Sequence, residues 1–481
     1  MRSTRRALLA MGAALGLAGC QSLGGEGEKE TNQQVTNPAD SAAQTDDNTE
    51  DPVSAYFNDA GELTAPVNNG RTVTGQLAVE NGKRRPPFDT QQRFQSMGKY
   101  FEDSTGASIG SFGNPGLWSP ENDATTISAE TANVYRGTQS LAISSKATAN
   151  ADIYRQLPEA IDLRKRDLSI ALRMETSMNT AVGFGISAIS TTEPYTSVSL
   201  SRFLKPSHHR EWIRVDLGSS TETMSDASTV EEELSAIDRL RIRLYTAENR
   251  STSYYDDMRF VPSGDGAKVI FIFDDAQDSI YNKAFPLMEQ YGIPGVLPVI
   301  PNLIGEAGFM TQAQIDEAFA AGWEIIGHSE RSFLNDIATE SEAKSEFESV
   351  KSYLLSNGYA AGSRFFVWPY GHHNAEQLKI ASEYWNMAFA ADADGHGNNP
   401  HTVTSPLSIH RSRPSSLKRL KADIDRAVRF NEVVPITIHN ISKGGPTSMS
   451  SADFEELLSY VNQLGDAVDV WQISDWWSYL N

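Results

Sequence analysis

The rhythm of apolar and polar positions changes along this chain and divides it. Residues 21–84 carry few large apolar side chains among Gly, Ser, Thr, Asn, Gln, Asp and Glu. That composition cannot bury a core, so the segment reads as a disordered polar linker. From 85 to 262 short alternating runs recur between turn residues, among them LSIALRMET, AVGFGISAIS, EWIRVDLG, DRLRIRLYT and STSYYDDMRFV. A period of two with almost no helical period predicts half-buried antiparallel strands and a β-sandwich. The stretch VPSGDGAK, rich in Pro and Gly, closes this region.

Over 263–481 the pattern becomes alternating buried strands and amphipathic helices. KVIFIFDDAQD opens it with an unbroken apolar run, the mark of a strand buried on both faces of a parallel sheet. A helix from Ser279, the run PGVLPVIP, a capping box at Thr311 to Gln314, and the strand WEIIG follow. Then come a long helix over 340–356, RFFVW, MAFAA, LSIHR, the helix SSLKRLKADIDRAVRF, VVPITIH, SADFEELLSYVNQL and VDVWQIS. Repeated βα units predict a parallel barrel or a doubly wound sheet.

In such folds the chemistry gathers where strands end. The first strand ends in Asp274-Asp275, and WEIIG leads into His328-Ser329-Glu330-Arg331-Ser332. RFFVW leads into Pro369-Tyr370-Gly371-His372-His373, and PITI into His439-Asn440. Alternation turns the two aspartates different ways, so one can bind a metal while the other takes a proton. A lone Asp there would instead be a helix cap, and a lone His a satisfied structural one. Their recurrence at strand ends of one domain favours chemistry.

Charge and cysteine add limits. The 481 residues carry a formal charge of −21, which disfavours non-specific nucleic-acid binding and gives an acid-rich surface. The single cysteine, Cys20, rules out an intramolecular disulfide. It ends a segment with Arg2, Arg5 and Arg6 before the short apolar stretch LLAMGAALGLAG, too short to span a bilayer. Leu17-Ala18-Gly19-Cys20 resembles a lipobox, and Thr4 to Leu9 resembles a twin-arginine export signal. These resemblances imply a signal peptide over 1–20, lipidation of Cys20, and attachment to the outer face of the cell membrane.

Five motifs in the C-terminal part resemble, in order, those of the polysaccharide deacetylases (NodB homology domain, carbohydrate esterase family 4). Phe273-Asp274-Asp275 is similar to T-F-D-D, and His328 to Ser332 to H-[ST]-x-x-H. Phe366 to Gly371 is similar to the F-x-x-P-Y-G loop, 392–411 covers the fourth motif, and Ile438-His439 resembles the final L-x-H. The resemblance implies a distorted (β/α) barrel and a metal-dependent hydrolase that removes acetyl groups from a polysaccharide or glycan, on nitrogen or oxygen. It implies Asp274 as general base, His439 as general acid, and the backbone N–H at Tyr370 as an oxyanion donor. Asp275, His328 and Ser332 fall on the metal-ligand positions, and the ion is expected to be zinc.

Three departures stand out. Ser332 occupies a position where the family has His, which leaves the metal held more loosely by Asp275, His328 and waters, or by another residue such as His372 or His373. The arginine before the P-Y-G loop is out of register: Arg364 is one residue off and Val367 fills another arginine position. The fourth motif lacks its Trp, with Asp392 and Asp394 as partners for the acid. The sandwich resembles jelly-roll carbohydrate-binding modules through FEDSTG, YRGTQSL, EWIRVDLG and YYDDMRF. That likeness implies a structural calcium on Glu102 or Asp103 with Asp257, and sugar stacking on Trp118, Tyr154 or Tyr195, each of which is otherwise a core residue. The expected protein is a monomer with a glycan partner, in which the sandwich concentrates substrate for a barrel beginning at 263. The alternative is a catalytically weak carbohydrate-binding lipoprotein.

Overall fold

The structure, a computed structural model, describes residues 78–80, 83–85, 112–146, 150–175, 182–191, 196–204, 210–223, 234–245, 251–333, 336–337, 339–391, 397–442 and 447–480. The signal over 1–20 with Cys20, most of the linker, and Glu102, Asp103, Tyr195, Asp392 and Asp394 lie outside the described residues. Inside the expected linker, Ala78–Glu80 pairs antiparallel with Lys83–Arg85.

The C-terminal part is a curled parallel sheet. Its strands are β1 (Ala267–Phe273), β2 (Val296–Val299), β3 (Glu324–Gly327), β4 (Phe365–Val367), β5 (Met387–Phe389), β6 (Val433–Ile438) and β7 (Val468–Val470). They run β5-β4-β3-β2-β1-β6, with β7 beside the first half of β1. Every residue of β1 is buried, as its unbroken apolar run requires. Val269, Phe271 and Phe273 pack outward under the helices with Trp323 and Phe454. Ile270 and Ile272 face a separate inner cluster with Ile326, Val367 and Val433, plugged by Trp476 and Trp477 of the final helix Ile473–Leu480. Alternation continues this inner register to Asp274, His328, Thr437 and His439. Four side chains from three strands therefore converge on the barrel mouth.

The helices begin where capping chemistry places them. Thr311 and Gln314 exchange side-chain and backbone bonds as a capping box before Gln312–Ala320, and Thr339 with Glu342 does the same before Glu340–Ser356. LSIHR is no full strand. It touches its neighbours through two isolated parallel bridges, Phe389 with Ile409 and Ser412 with Ile436, and so spans the gap between β5 and β6.

Upstream, two antiparallel sheets of five and six strands face each other. The five-stranded sheet centres on Arg166–Met174 and Thr252–Pro262, the six-stranded one on Val182–Ser190 and Ile237–Tyr245. Alternate residues such as Ile170, Leu172, Phe184, Ile186, Ile242 and Leu244 fill the space between them. Trp118 is core, stacked on Phe112 at 5.5 Å, whereas Tyr154 lies beneath the Arg239 guanidinium. The calcium expectation fails at Asp257. Its carboxylate is buried and ion-paired with Arg214 and Arg259, with Arg136 at 3.6 Å. Guanidiniums on both oxygens leave no donor edge for a cation.

The sandwich is docked onto the barrel through buried polar groups. Asp216 accepts hydrogen bonds from the backbone N–H groups of Thr404 and Ser405 and from the Thr404 hydroxyl. Glu432 accepts from the Ser219 backbone N–H and hydroxyl and from Asn398. Gly218 is required here, since a Cβ would lie 1.8 Å from the Asn398 carbonyl oxygen.

Candidate active site

Asp274 ends the inner register of β1 and is buried. Arg411 Nη1 donates to its two oxygens at 2.7 and 2.9 Å, and Thr437 Oγ1 donates to Oδ2 at 3.1 Å. His439 Nε2 faces the same Oδ2 at 3.7 Å. Burial pushes the Asp274 carboxyl up, but the charges of Arg411 and the two histidines outweigh it and hold the pKa below the usual range. Arg411 is also anchored by Nε to the Ala390 carbonyl at 3.1 Å. A guanidinium thus reaches Asp274 from the segment between β5 and β6, not from the P-Y-G loop. Arg364 is buried elsewhere, and burial lowers its pKa to about 10 against the opposing charge of Glu324.

Asp275 would point outward if the strand continued. Its φ of 72° lies in the left-handed region, tolerable for Asp, and the chain turns back. The carboxylate then meets His328, with Oδ1 3.3 Å from Nε2, while Gln277 donates to Oδ2 at 3.5 Å. Burial raises the Asp275 pKa, but the His328 bond and charge override this and bring it to about 2. His328 Nδ1 sits 2.8 Å from the Val367 carbonyl, which can only accept, so Nδ1 carries the proton and Nε2 faces the mouth. Burial lowers the His328 pKa, but the two aspartates prevail and raise it.

The loop after β4 carries two left-handed residues, Tyr370 at φ 57° and Gly371 at 71°. A Cβ on Gly371 would come within 2.5 Å of the Ala391 nitrogen, so glycine is required there. The Tyr370 side chain is 59% exposed above the turn. Ser332 is buried, and its backbone N–H donates to Asp336 at 2.7 Å. His373 stacks on Trp368 and meets Ser408 Oγ at 2.9 Å. That fixes it in the core, so it does not substitute for a ligand at Ser332. His372 lies beside Tyr370, with ring centroids 6.0 Å apart.

The Asp275–His328 pair has the donor chemistry of a divalent-ion site. A carboxylate and an imidazole lone pair approach a common point, and the imidazole is oriented from behind by a carbonyl. No third His, Cys, Asp or Glu joins them among the described residues. The residues therefore fit a two-donor site open to water. The sequence missed the Arg411–Thr437 clamp because Arg411 lies 137 positions from Asp274.

Residues 263–388 match the family model described as Polysaccharide deacetylase. The poly-beta-1,6-N-acetyl-D-glucosamine N-deacetylase of Staphylococcus epidermidis is 29% identical over 123 residues, 22% of this chain and 42% of the relative. The chain thus spans less than half the length of that curated relative. Among solved structures, the Streptococcus pyogenes deacetylase PplD in complex with acetate aligns at 23% identity and TM-score 0.27, covering 32% of this chain and 69% of its own. The family 11 carbohydrate-binding module from Clostridium thermocellum, in complex with a mixed-linked tetrasaccharide, aligns at 12% identity and TM-score 0.25, covering 34% and 96%. The motif order and the strand-end residues agree with the family match, which makes residues 263–388 similar to the polysaccharide deacetylase family.

Proposed function

We propose that this domain hydrolyses acetyl groups from the amide nitrogens of an N-acetylated polysaccharide or glycan. The observation that carries this is the convergence of Asp274, Asp275, His328 and His439 on one barrel mouth. Asp275 and His328 would hold a divalent ion, zinc by donor type, which supplies carbonyl polarisation and an acidified water. Asp274, kept ionised by Arg411, takes the proton of the attacking water. The Tyr370 backbone N–H, turned by its left-handed conformation, is the donor for the developing oxyanion. His439, protonated, gives its proton to the leaving amine as the carbon–nitrogen bond breaks, and acetate and a free amino sugar result. The relative's name makes β-1,6-linked N-acetylglucosamine the first substrate to try.

The test is acetate release from N-acetylglucosamine oligomers, paired with calorimetric titration of zinc. Asp274→Ala is expected to abolish turnover and keep zinc binding, while Asp275→Ala loses both. Wild type that binds zinc yet releases no acetate from any acetylated glycan would sink the hydrolase reading.

A second reading has its own support. With two strong donors in place of three, the domain is a carbohydrate binder of weak or no activity. Glycan binding without acetate release separates it from the first. The cell-surface setting rests on the lipobox-like Leu17 to Cys20 alone, and loss of membrane retention in Cys20→Ser is the check.

A further inference from the structure

His439 stands one residue past the end of β6, where the ladder to β1 has stopped at Ile438 opposite Phe273. Beyond that point other bonds must hold the chain. The His439 backbone N–H donates to the Thr447 carbonyl at 2.8 Å, and Asn440–Ile441 pairs in parallel with Ser448–Met449. Ile441 is fully buried, so its own backbone polar groups need partners inside the protein. Both are met from one place. The Ser279 hydroxyl accepts from the Ile441 N–H at 3.2 Å, and Lys283 Nζ donates to the Ile441 carbonyl at 3.0 Å.

These two side chains belong to a π-helical turn, Ile280–Ala284, with Ser279 just before it. Phe285 closes the turn by donating to the Ile280 carbonyl, five residues back. Side chains four apart share a face, so hydroxyl and ammonium reach the same residue. The turn itself starts from a pinned segment. The Met310 N–H donates to the Ala276 carbonyl at 2.8 Å, and the Asp278 N–H to that of Gly308 at 2.9 Å. Asp274 and Asp275 lie directly before these bonds. Residues 274–283 thus carry both site carboxylates and the grip on the segment that follows His439.

We propose that Ser279 and Lys283 are positioning residues for the acid: by holding Ile441 they fix where the His439 imidazole stands against Asp274. The proposal rests on the hydrolase reading, in which His439 protonates the leaving amine. His439 Nε2 lies 3.7 Å from Asp274 Oδ2, on the mouth side of the loop. Proton transfer needs hydrogen-bond reach, and a misplacement of about 1 Å can cost about a hundredfold in rate. The bond from Lys283 is charge-assisted and is the stronger of the two. Neither side chain touches a reacting atom. A general structural role would slow the hydrolysis of every acetyl group alike. Placement of the acid matters only where the leaving group must take a proton.

That difference is the experiment. The full chain is assayed on N-acetylglucosamine oligomers, whose amine leaves only with a proton, and on 4-nitrophenyl acetate, whose phenolate leaves as the anion. The variants are Lys283→Met, Ser279→Ala, the two together, Lys283→Arg, which keeps a donor, and His439→Ala for reference; melting curves and zinc titration verify fold and metal site. In the double variant kcat on the oligomers is expected to fall about tenfold or more, with KM little changed and a much smaller loss on the aryl ester. Each single variant shows a smaller loss of the same kind, Lys283→Arg recovers most of it, and His439→Ala shows the same preference for the ester. Amide hydrogen exchange over 439–441 rises in the double variant relative to 268–273. Equal losses on both substrates, or no loss, overturn the positioning role and leave the hydrolase reading standing. Unchanged exchange overturns the grip itself. Wild type that releases no acetate, or His439→Ala that slows both substrates alike, sinks the hydrolase reading, and the positioning role falls with it.

Discussion

Asp274 and Asp275 differ in surroundings because of one backbone dihedral. Asp274 keeps the strand register and meets Arg411, Thr437 and His439, whereas the left-handed turn at Asp275 swings its carboxylate to His328. The Asp274–Arg411 pair is buried on both sides, with side chains 3% exposed. Removing one partner of such a pair costs about 3–5 kcal/mol, because the remaining charge is left in low dielectric. Arg411→Met is therefore expected to lower stability by about that amount at neutral pH, read by urea unfolding. The sign with pH follows from linkage. The folded Asp274 pKa lies below its ordinary value, so the wild-type advantage is present above about pH 4 and fades as pH falls through the folded pKa. If the hydrolase reading holds, the same substitution raises the base's pKa and moves the acid limb of kcat/KM to higher pH. A penalty for Arg411→Met that is identical at pH 3 and pH 7 would contradict the clamp.

Among the elements, the final helix Ile473–Leu480 decides how the barrel is filled. Its Trp476 and Trp477 plug the inner face, and Glu324 at the start of β3 caps it by accepting from the backbone N–H groups of Ile473 at 2.9 Å and Ser474 at 3.2 Å. Burial pushes the Glu324 carboxyl up to about 7, against the opposing pull of those bonds. A carboxyl whose folded pKa is raised binds protons more tightly when folded. Stability tied to Glu324 is thus greatest below its unfolded pKa and declines until pH passes about 7. Glu324→Gln keeps an acceptor oxygen and removes the titration. It should gain on the order of 2–3 kcal/mol relative to wild type at pH 8, and little of that at pH 4. Denaturant midpoints at the two pH values measure this, and a gain independent of pH would rule out Glu324 as the titrating group.

For the whole molecule, the seam alters the expected division of labour. A sandwich that only concentrates substrate would leave a barrel beginning near 263 self-sufficient. Instead Asp216 and Ser219 satisfy buried groups on 398–432, and that stretch carries Arg411. A barrel cut at Ser263 loses Asp216 as acceptor for Thr404 and Ser405, and Ser219 as donor to Glu432. It should melt below the full chain, and Asp216→Ala in the full chain should cost about 1–3 kcal/mol through the orphaned N–H groups. An excised barrel as stable as the full protein would restore the tethered-module view.

Much of this was legible in the order of residues. The unbroken run before Asp274, the period-two runs upstream and the Thr311–Gln314 box are local patterns whose physics needs no distant partner, and they give strands and helices where the structure has them. Strand-end positions likewise brought Asp274, Asp275, His328 and His439 together, because parallel strands deliver their last residues to one mouth. What the tertiary structure decided depends on contacts between distant positions. It placed Arg411 against Asp274, since a guanidinium can arrive from any segment that crosses the mouth. It enclosed Asp257 among guanidiniums where the likeness to carbohydrate-binding modules implied calcium, and it locked His373 against Trp368 and Ser408. Charge and hydropathy along a chain state which groups need partners; only the folded chain chooses them, because the choice is made by proximity in space.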